Sequence, residues 1–432
     1  MDEQCHLTQV TEIPGDIVPT WVPPEFNLQR EPQLPFAAQA DSALRAPAAR
    51  SAAAPPNFYR SAKWSPDGSC ALTADESITC RIHNLKATDG VTSLDTTCTL
   101  LQPAPILDGV WYPGASIQSP ETFCFMASVR NYPVKLLDAS SGRLRASYRI
   151  VDHRERFVAP HSMAFDPTMT KLYCGCVDFI EIFDLQQPGD GVRLATTPSK
   201  KSRDGLKGII SAISFCSDYS GLYAAATYST TPNAIALFDP EVGESGDVRP
   251  GGVTQLLFHP TQPHILFAAS RRSPVVQVWD LRNPLCVAAE LDRWTSEGKL
   301  TNQRLKFDVD LGGKWLAAGD EAGWLSIFDV SNGLSFNTEP VLKFRAHNDA
   351  IGSVSFHPIQ SLALTVSGSR HFDVTSPALP PSRPASTTDM TSDSGSDSSL
   401  DEELENNGIR VHDPTIKLWN FSPQSTIPHS PK

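Results

Sequence analysis

His347-Asn-Asp-Ala-Ile-Gly-Ser-Val-Ser-Phe-His-Pro358, then Leu362-Ala-Leu-Thr-Val-Ser-Gly-Ser369 and, after an interval, Asp413-Pro-Thr-Ile-Lys-Leu-Trp-Asn420, decide the fold. Apolar and polar residues alternate through these segments, which is the period of a β-strand. Pro358 and the small residues at 367–369 end strands, and Asp413 opens a turn. Joined, the segments read as one β-propeller repeat split in two.

The interval, residues 370–411, is rich in Ser, Pro and acids. It contains Thr387-Thr-Asp-Met-Thr-Ser-Asp-Ser-Gly-Ser-Asp-Ser-Ser-Leu-Asp-Glu-Glu403. Such a composition buries too little apolar surface to offset chain entropy, so a disordered acidic insertion in the last blade is expected. It joins the second and third strands of that blade, on the propeller's top face. Ser394, Ser398 and Ser399 each have an acid three residues later, which makes them candidate phosphorylation sites.

Six weaker copies of the unit precede it. They are anchored at Ala62-Lys-Trp-Ser-Pro-Asp-Gly68, Val110-Trp-Tyr-Pro113, Ser162-Met-Ala-Phe-Asp-Pro167, Ser211-Ala-Ile-Ser-Phe215, Val253-Thr-Gln-Leu-Leu-Phe-His-Pro260 and Leu305-Lys-Phe-Asp-Val309. Their spacing is close to the WD40 period. One blade cannot bury both faces, so the units must close into a ring. The expected fold is all-β, a seven-bladed WD40 β-propeller over residues 53–421. Residues 56–59 are expected to supply the outer strand of the last blade. Residues 1–52, with Pro14, Pro19, Pro23, Pro24, Pro32 and Pro35, read as a disordered tail, with Trp21 and Phe26 as candidate anchors for a partner. Residues 422–432 read as a disordered C-terminus.

The net charge of -12 is unevenly placed. Residues 1–52 carry -4, residues 373–407 carry -7, and the remainder carries only -1. A basic patch on the ring is therefore compatible with the acidic total. No run of apolar residues is long enough for a membrane helix, and the start lacks the pattern of a secretory signal. The nine cysteines are scattered, and Cys174 and Cys176 lack a metal or redox spacing. They read as reduced core thiols.

His347, Ser367, Asp413 and Trp419 fall where such repeats hold a buried polar network. His259 and His357, in Phe-His-Pro words, fall at turn positions. No phosphate-binding glycine loop, zinc motif or nucleophile elbow is present, so neither a catalytic site, a metal nor a cofactor is expected. The remaining candidates are basic. Lys201 and Arg203 precede blade 4, Arg271 and Arg272 sit on a top-face turn, Arg304 precedes blade 6, and Arg130 and Arg145 flank the end of blade 2. Together they outline an arc suited to phosphate.

Further words are not demanded by a propeller. Asn57-Phe58, Lys63-Trp-Ser-Pro-Asp-Gly-Ser-Cys70, Ala159-Pro-His-Ser-Met-Ala-Phe165, Gly208-Ile-Ile-Ser-Ala-Ile-Ser-Phe215 and above all Leu300-Thr-Asn-Gln-Arg-Leu-Lys-Phe-Asp-Val-Asp310 resemble the telomerase Cajal-body WD-repeat protein family. The resemblance covers residues 57–372 and resumes at the last strand. It implies a seven-bladed, monomeric nuclear scaffold that binds small Cajal-body RNAs and telomerase RNA, serves telomere maintenance, and helps bring these particles to Cajal bodies. A cytoplasmic pool is compatible with it. Fungal-type relatives are linked to small nuclear ribonucleoproteins and splicing, which leaves a general protein–protein adaptor as the alternative. The family's long N-terminal tail has no recognisable counterpart in residues 1–52.

Overall fold

A computed structural model describes residues 21–40, 56–88, 91–199, 201–202, 204–229, 234–239, 243–248, 252–284, 286–293, 301–332, 337–372 and 409–423. The segments expected to be disordered fall mostly outside these residues, Ser394, Ser398 and Ser399 among them.

Seven four-stranded antiparallel sheets form the ring. Blades 1 to 6 span residues 59–101, 106–148, 162–195, 210–248, 253–292 and 308–345. Blade 7 is Ile351–Phe356, Leu362–Ser367, Thr415–Asn420 and Gln33–Gln39, from the channel outwards. The buried apolar side chains fall into seven clusters, one at each interface between neighbouring blades. Trp111, Phe123 and Phe125 of blade 2, for example, pack against Leu72 and Ile82 of blade 1. Each large side chain removed from water there contributes roughly 1.5–3 kcal/mol, so the ring is held by its interfaces rather than by single blades.

The closing strand corrects the sequence reading. Gln33–Gln39, inside the expected tail, pairs with Thr415–Asn420 as the outer strand of blade 7. Residues from Tyr59 onward form the innermost strand of blade 1 instead. The prolines misled: Pro35 falls where the register slips between Gln33 and Phe36, on an edge strand, where a missing N–H is tolerated. Phe36 and Ala38 face the cluster between blades 7 and 1. Phe26 is also part of the fold, edge-on to Phe356 at 5.1 Å and to Phe421 at 5.7 Å. Leu28 is buried beside it, whereas Trp21 is half exposed.

Polar side chains stitch adjacent innermost strands together. Lys63 Nζ donates to the Gly109 carbonyl (blades 1 and 2), and Met163 N donates to Asp108 Oδ2 at 2.9 Å (2 and 3). Ser162 donates to Ile210 (3 and 4) and Ser211 to Val253 (4 and 5). Gln255 clasps both backbone groups of Phe307 (5 and 6), Phe356 N donates to Asp308 Oδ2 (6 and 7), and Ser353 donates to Ala62 (7 and 1). The circuit is closed. In blades 1, 2, 4, 5 and 7 the innermost strand also carries a one-residue register shift at its entry. In blade 1 the extra residue is Arg60, so a strand-entry bulge presents it to the channel.

Candidate functional site

The innermost strands and the turns between second and third strands enclose a cavity of about 1100 Å³ at one end of the channel. Among the described residues its wall carries eight cationic side chains and three carboxylates. The excess of five positive charges belongs to a chain whose total is -12. Arg130, Arg271, Arg272 and Arg304, all read from the sequence as candidates, meet here. Arg60, Lys306, Arg345 and Arg370 join them.

The cations differ in how they are held. Arg130, Arg271, Arg272 and Arg345 are exposed at the rim, and among the described residues no carboxylate pairs with them. Arg60 and Arg370 share Glu76. The Arg271 guanidinium lies 4.0 Å from the centre of the Tyr228 ring, and that of Arg304 4.9 Å from it. This places an aromatic ring among cations, the pairing that single-stranded bases stack upon.

Deeper in, the channel is bridged. Arg304 Nη1 donates to the His161 carbonyl at 3.3 Å, from the blade 6 entry to blade 3. Lys306 Nζ lies 3.7 Å from Asp108 Oδ1, joining blades 6 and 2. Burial opposes the charge on Asp108, but Lys306, Lys63 and Arg304, with the Met163 N–H, hold it below the usual carboxylate range. Lys306 is pushed down to about 8, first by burial and then by Lys63, with Arg304 and Arg60 adding to the crowding that Asp108 offsets.

Arg145 does not join the site. It sits on the outer strand of blade 2, bound to Asp138 at 2.6 Å and to the carbonyls of Pro120, Glu121 and Phe123. Lys201 is exposed on the loop before blade 4 and is absent from the cavity wall. Arg203 lies outside the described residues. His347, Ser367, Asp413 and Trp419 are joined in a buried network in blade 7, with Thr365 and Thr415 as further members. His259 and His357 each accept two backbone N–H groups of their own turns. Cys176 is buried between blades 2 and 3, and burial pushes its thiol up to about 12.

Arg60, Tyr228 and Lys306 were missed because each is embedded in an ordinary strand word. The available signal was polar residues on the channel side of innermost strands, as in Arg304-Leu-Lys306. Thr301-Asn-Gln-Arg304, the least propeller-like word, lines the cavity, and Gln303 donates across to the Gly368 carbonyl of blade 7. The ends of the acidic insertion leave from the same rim: His371–Phe372 pairs with Ile409–Arg410, and Arg370 and His371 line the wall.

No family model matches the chain. It is 35% identical over 325 residues to telomerase Cajal body protein 1 of Mesocricetus auratus, covering 73% of this chain and 59% of that protein. The Homo sapiens protein of that name is 33% identical over 326 residues, 74% of this chain and 58% of that one. Guanine nucleotide-binding protein negative regulator 1 of Schizosaccharomyces pombe is 29% identical over 290 residues, covering 63% of this chain and 71% of its own length. The chain thus spans about three fifths of the length of the mammalian relatives. With its seven blades and this similarity along most of its length, the chain belongs to the telomerase Cajal-body WD-repeat protein family.

Proposed function

We propose that this chain is a non-catalytic scaffold that binds small nuclear or Cajal-body RNA, telomerase RNA included. In this reading it supports the assembly and nuclear localisation of those ribonucleoproteins and thereby telomere maintenance. The observation that carries the reading is the excess of positive charge around the channel mouth of an otherwise acidic chain.

Phosphates supply most of the free energy in such complexes, and exposed arginines without a carboxylate partner are free to meet them. Tyr228 beside Arg271 and Arg304 suits an unpaired base, because specific RNA recognition mostly takes splayed bases from loops. The acidic remainder of the chain repels RNA elsewhere and so favours binding at the mouth. The names of the mammalian relatives refer those proteins to telomerase and the Cajal body, which is consistent with this class of RNA.

The test is crosslinking of the protein to RNA in cells, followed by sequencing of what is attached. Enrichment of small nuclear, small Cajal-body or telomerase RNA is expected. Background levels of all three, with protein partners that survive RNase, would replace the reading with that of a protein–protein adaptor.

A further inference from the structure

The floor of the cavity differs from its rim. Arg304 and Lys306 reach from blade 6 to blades 3 and 2, so the channel is bridged below the mouth and the cavity is a bowl. Lys306 has 20% of its side chain exposed and Asp108 10%. Around that one carboxylate stand Lys306, Lys63 and Arg304, with Arg60 close to Lys306. Asp308 adds little compensation: burial pushes it up to about 7, and it already accepts the Phe356 N–H. Glu76 is taken by Arg60 and Arg370.

Positive charge is therefore concentrated around Lys306 and Asp108, where water is scarce, and Arg60, 39% exposed and held by Glu76 and the Ile106 carbonyl, stands at the edge of that region. Bringing like charges together in such a place is costly, and an anion entering it is attracted more strongly than one at the exposed rim. Two guanidinium forks and an ammonium offer more donors than a carboxylate's two oxygens require, and they suit a tetrahedral oxyanion with several oxygens.

We propose that the bowl floor is a binding site for one phosphate group, held by Arg60, Arg304 and Lys306. The RNA of the preceding reading supplies this group as a backbone phosphodiester that turns into the mouth, a source that rests on that reading. The rim arginines then act as a collar that attracts the strand, and the floor fixes its depth.

The experiment uses the full chain and two probes, inorganic tripolyphosphate and a single-stranded RNA of about ten nucleotides, each titrated by calorimetry over a salt series. Tripolyphosphate is expected to bind one to one and to compete with the RNA. Lys306→Gln is expected to weaken both by tenfold or more and to lower the slope of log affinity against log salt by about one. Arg60→Gln, which leaves the Lys306–Asp108 pair intact, should act in the same direction and guards against misfolding of the first variant. Tripolyphosphate that fails to bind, or that binds both variants like the unaltered chain, overturns the site. A Lys306-dependent tripolyphosphate complex without any RNA binding keeps the phosphate site and overturns RNA as its source. RNA binding that neither variant affects leaves the scaffold reading standing and removes the floor from it.

Discussion

Lys306 and Asp108 meet at 3.7 Å although they belong to blades 6 and 2, on different arcs of the ring. The two partners are unequal. Asp108 faces three cations and also accepts the Met163 N–H, so replacing it leaves those positive charges crowded with only Asp308, which burial pushes up to about 7, beside Lys63. Removing Lys306 leaves Asp108 with Lys63 and Arg304. We therefore expect Asp108→Asn to cost about 2 kcal/mol, a low value for a buried pair because Lys306 is partly solvated, and Lys306→Met to cost less. Urea midpoints of the two variants check the order, and equal or reversed midpoints contradict this account of the floor.

Rim and outer-strand arginines make opposite predictions. Arg271→Glu with Arg272→Glu should weaken RNA binding by tenfold or more and lower the salt slope by about two, with an unchanged unfolding midpoint. Arg145→Gln should leave RNA affinity within about twofold. It should cost about 1–2 kcal/mol of stability, because Asp138 Oδ2 and the carbonyls of Pro120 and Glu121 lose their guanidinium donor. A variant at Arg145 that loses RNA but keeps its stability would return that residue to the interface.

What the sequence showed and what it hid follow from the range of the interactions involved. Strand alternation and turn residues are local, so every blade could be read from words such as Val276-Gln-Val-Trp-Asp-Leu281. The closing strand was hidden because its partner, Thr415–Asn420, lies nearly four hundred residues away and its prolines argue locally against a strand. The charged mouth was half legible. Arg271 and Arg272 stand on a turn that the repeat itself locates. Arg60 reaches the channel through a bulge that no residue type announces.

That closing strand yields a prediction of its own. Removal of residues 21–40 exposes Thr415–Asn420 as an open edge and strips the apolar cover from Phe356 and Phe421. The truncated chain should self-associate in size-exclusion chromatography. Phe26→Ala alone should remain a monomer and lose about 2 kcal/mol, since Phe26 is only partly buried. A truncated chain that stays monomeric with an unchanged midpoint would demote the strand to an accessory.

Protonation of His357 links stability to pH. Its Nδ1 accepts the N–H groups of Ile359 and Gln360, and its Nε2 bonds the Gly68 carbonyl of blade 1. Burial pushes its pKa down to about 4 from 6.5. The unfolded chain therefore binds the proton more readily. The stability held by neutral His357 is complete above pH 6.5 and is lost as the pH falls towards 4, by about 3 kcal/mol in total. His83, pushed down to about 4 chiefly by burial, acts in the same direction. Urea midpoints at pH 7 and pH 5 should show the fall, and His357→Asn, which keeps an acceptor in place of Nδ1, should reduce it.

The split blade holds a buried polar chain whose proton order follows from its geometry. Trp419 Nε1 can only donate, so it gives its proton to Thr365 Oγ1 at 2.8 Å. Thr365 then turns its own proton to His347 Nε2 at 2.7 Å, because the two hydroxyls that face Nδ1, those of Ser367 and Thr415, give their protons to Asp413. That leaves the proton of His347 on Nδ1, 2.8 Å from Ser367 Oγ, and Ser367 passes its proton to the Asp413 carbonyl. Each donor in the chain has an acceptor. A second proton on His347 would face the hydroxyl proton of Thr365, and burial already lowers the pKa of that ring despite the nearby Asp413. Thr365→Val, of equal shape, removes the one atom that serves both rings and leaves Trp419 Nε1 and His347 Nε2 buried without partners. We expect a loss of about 2–4 kcal/mol, with Thr365→Ser recovering most of it because it restores the hydroxyl. If valine and serine cost the same, the methyl group rather than the proton chain holds this blade together, and the network is packing by another name.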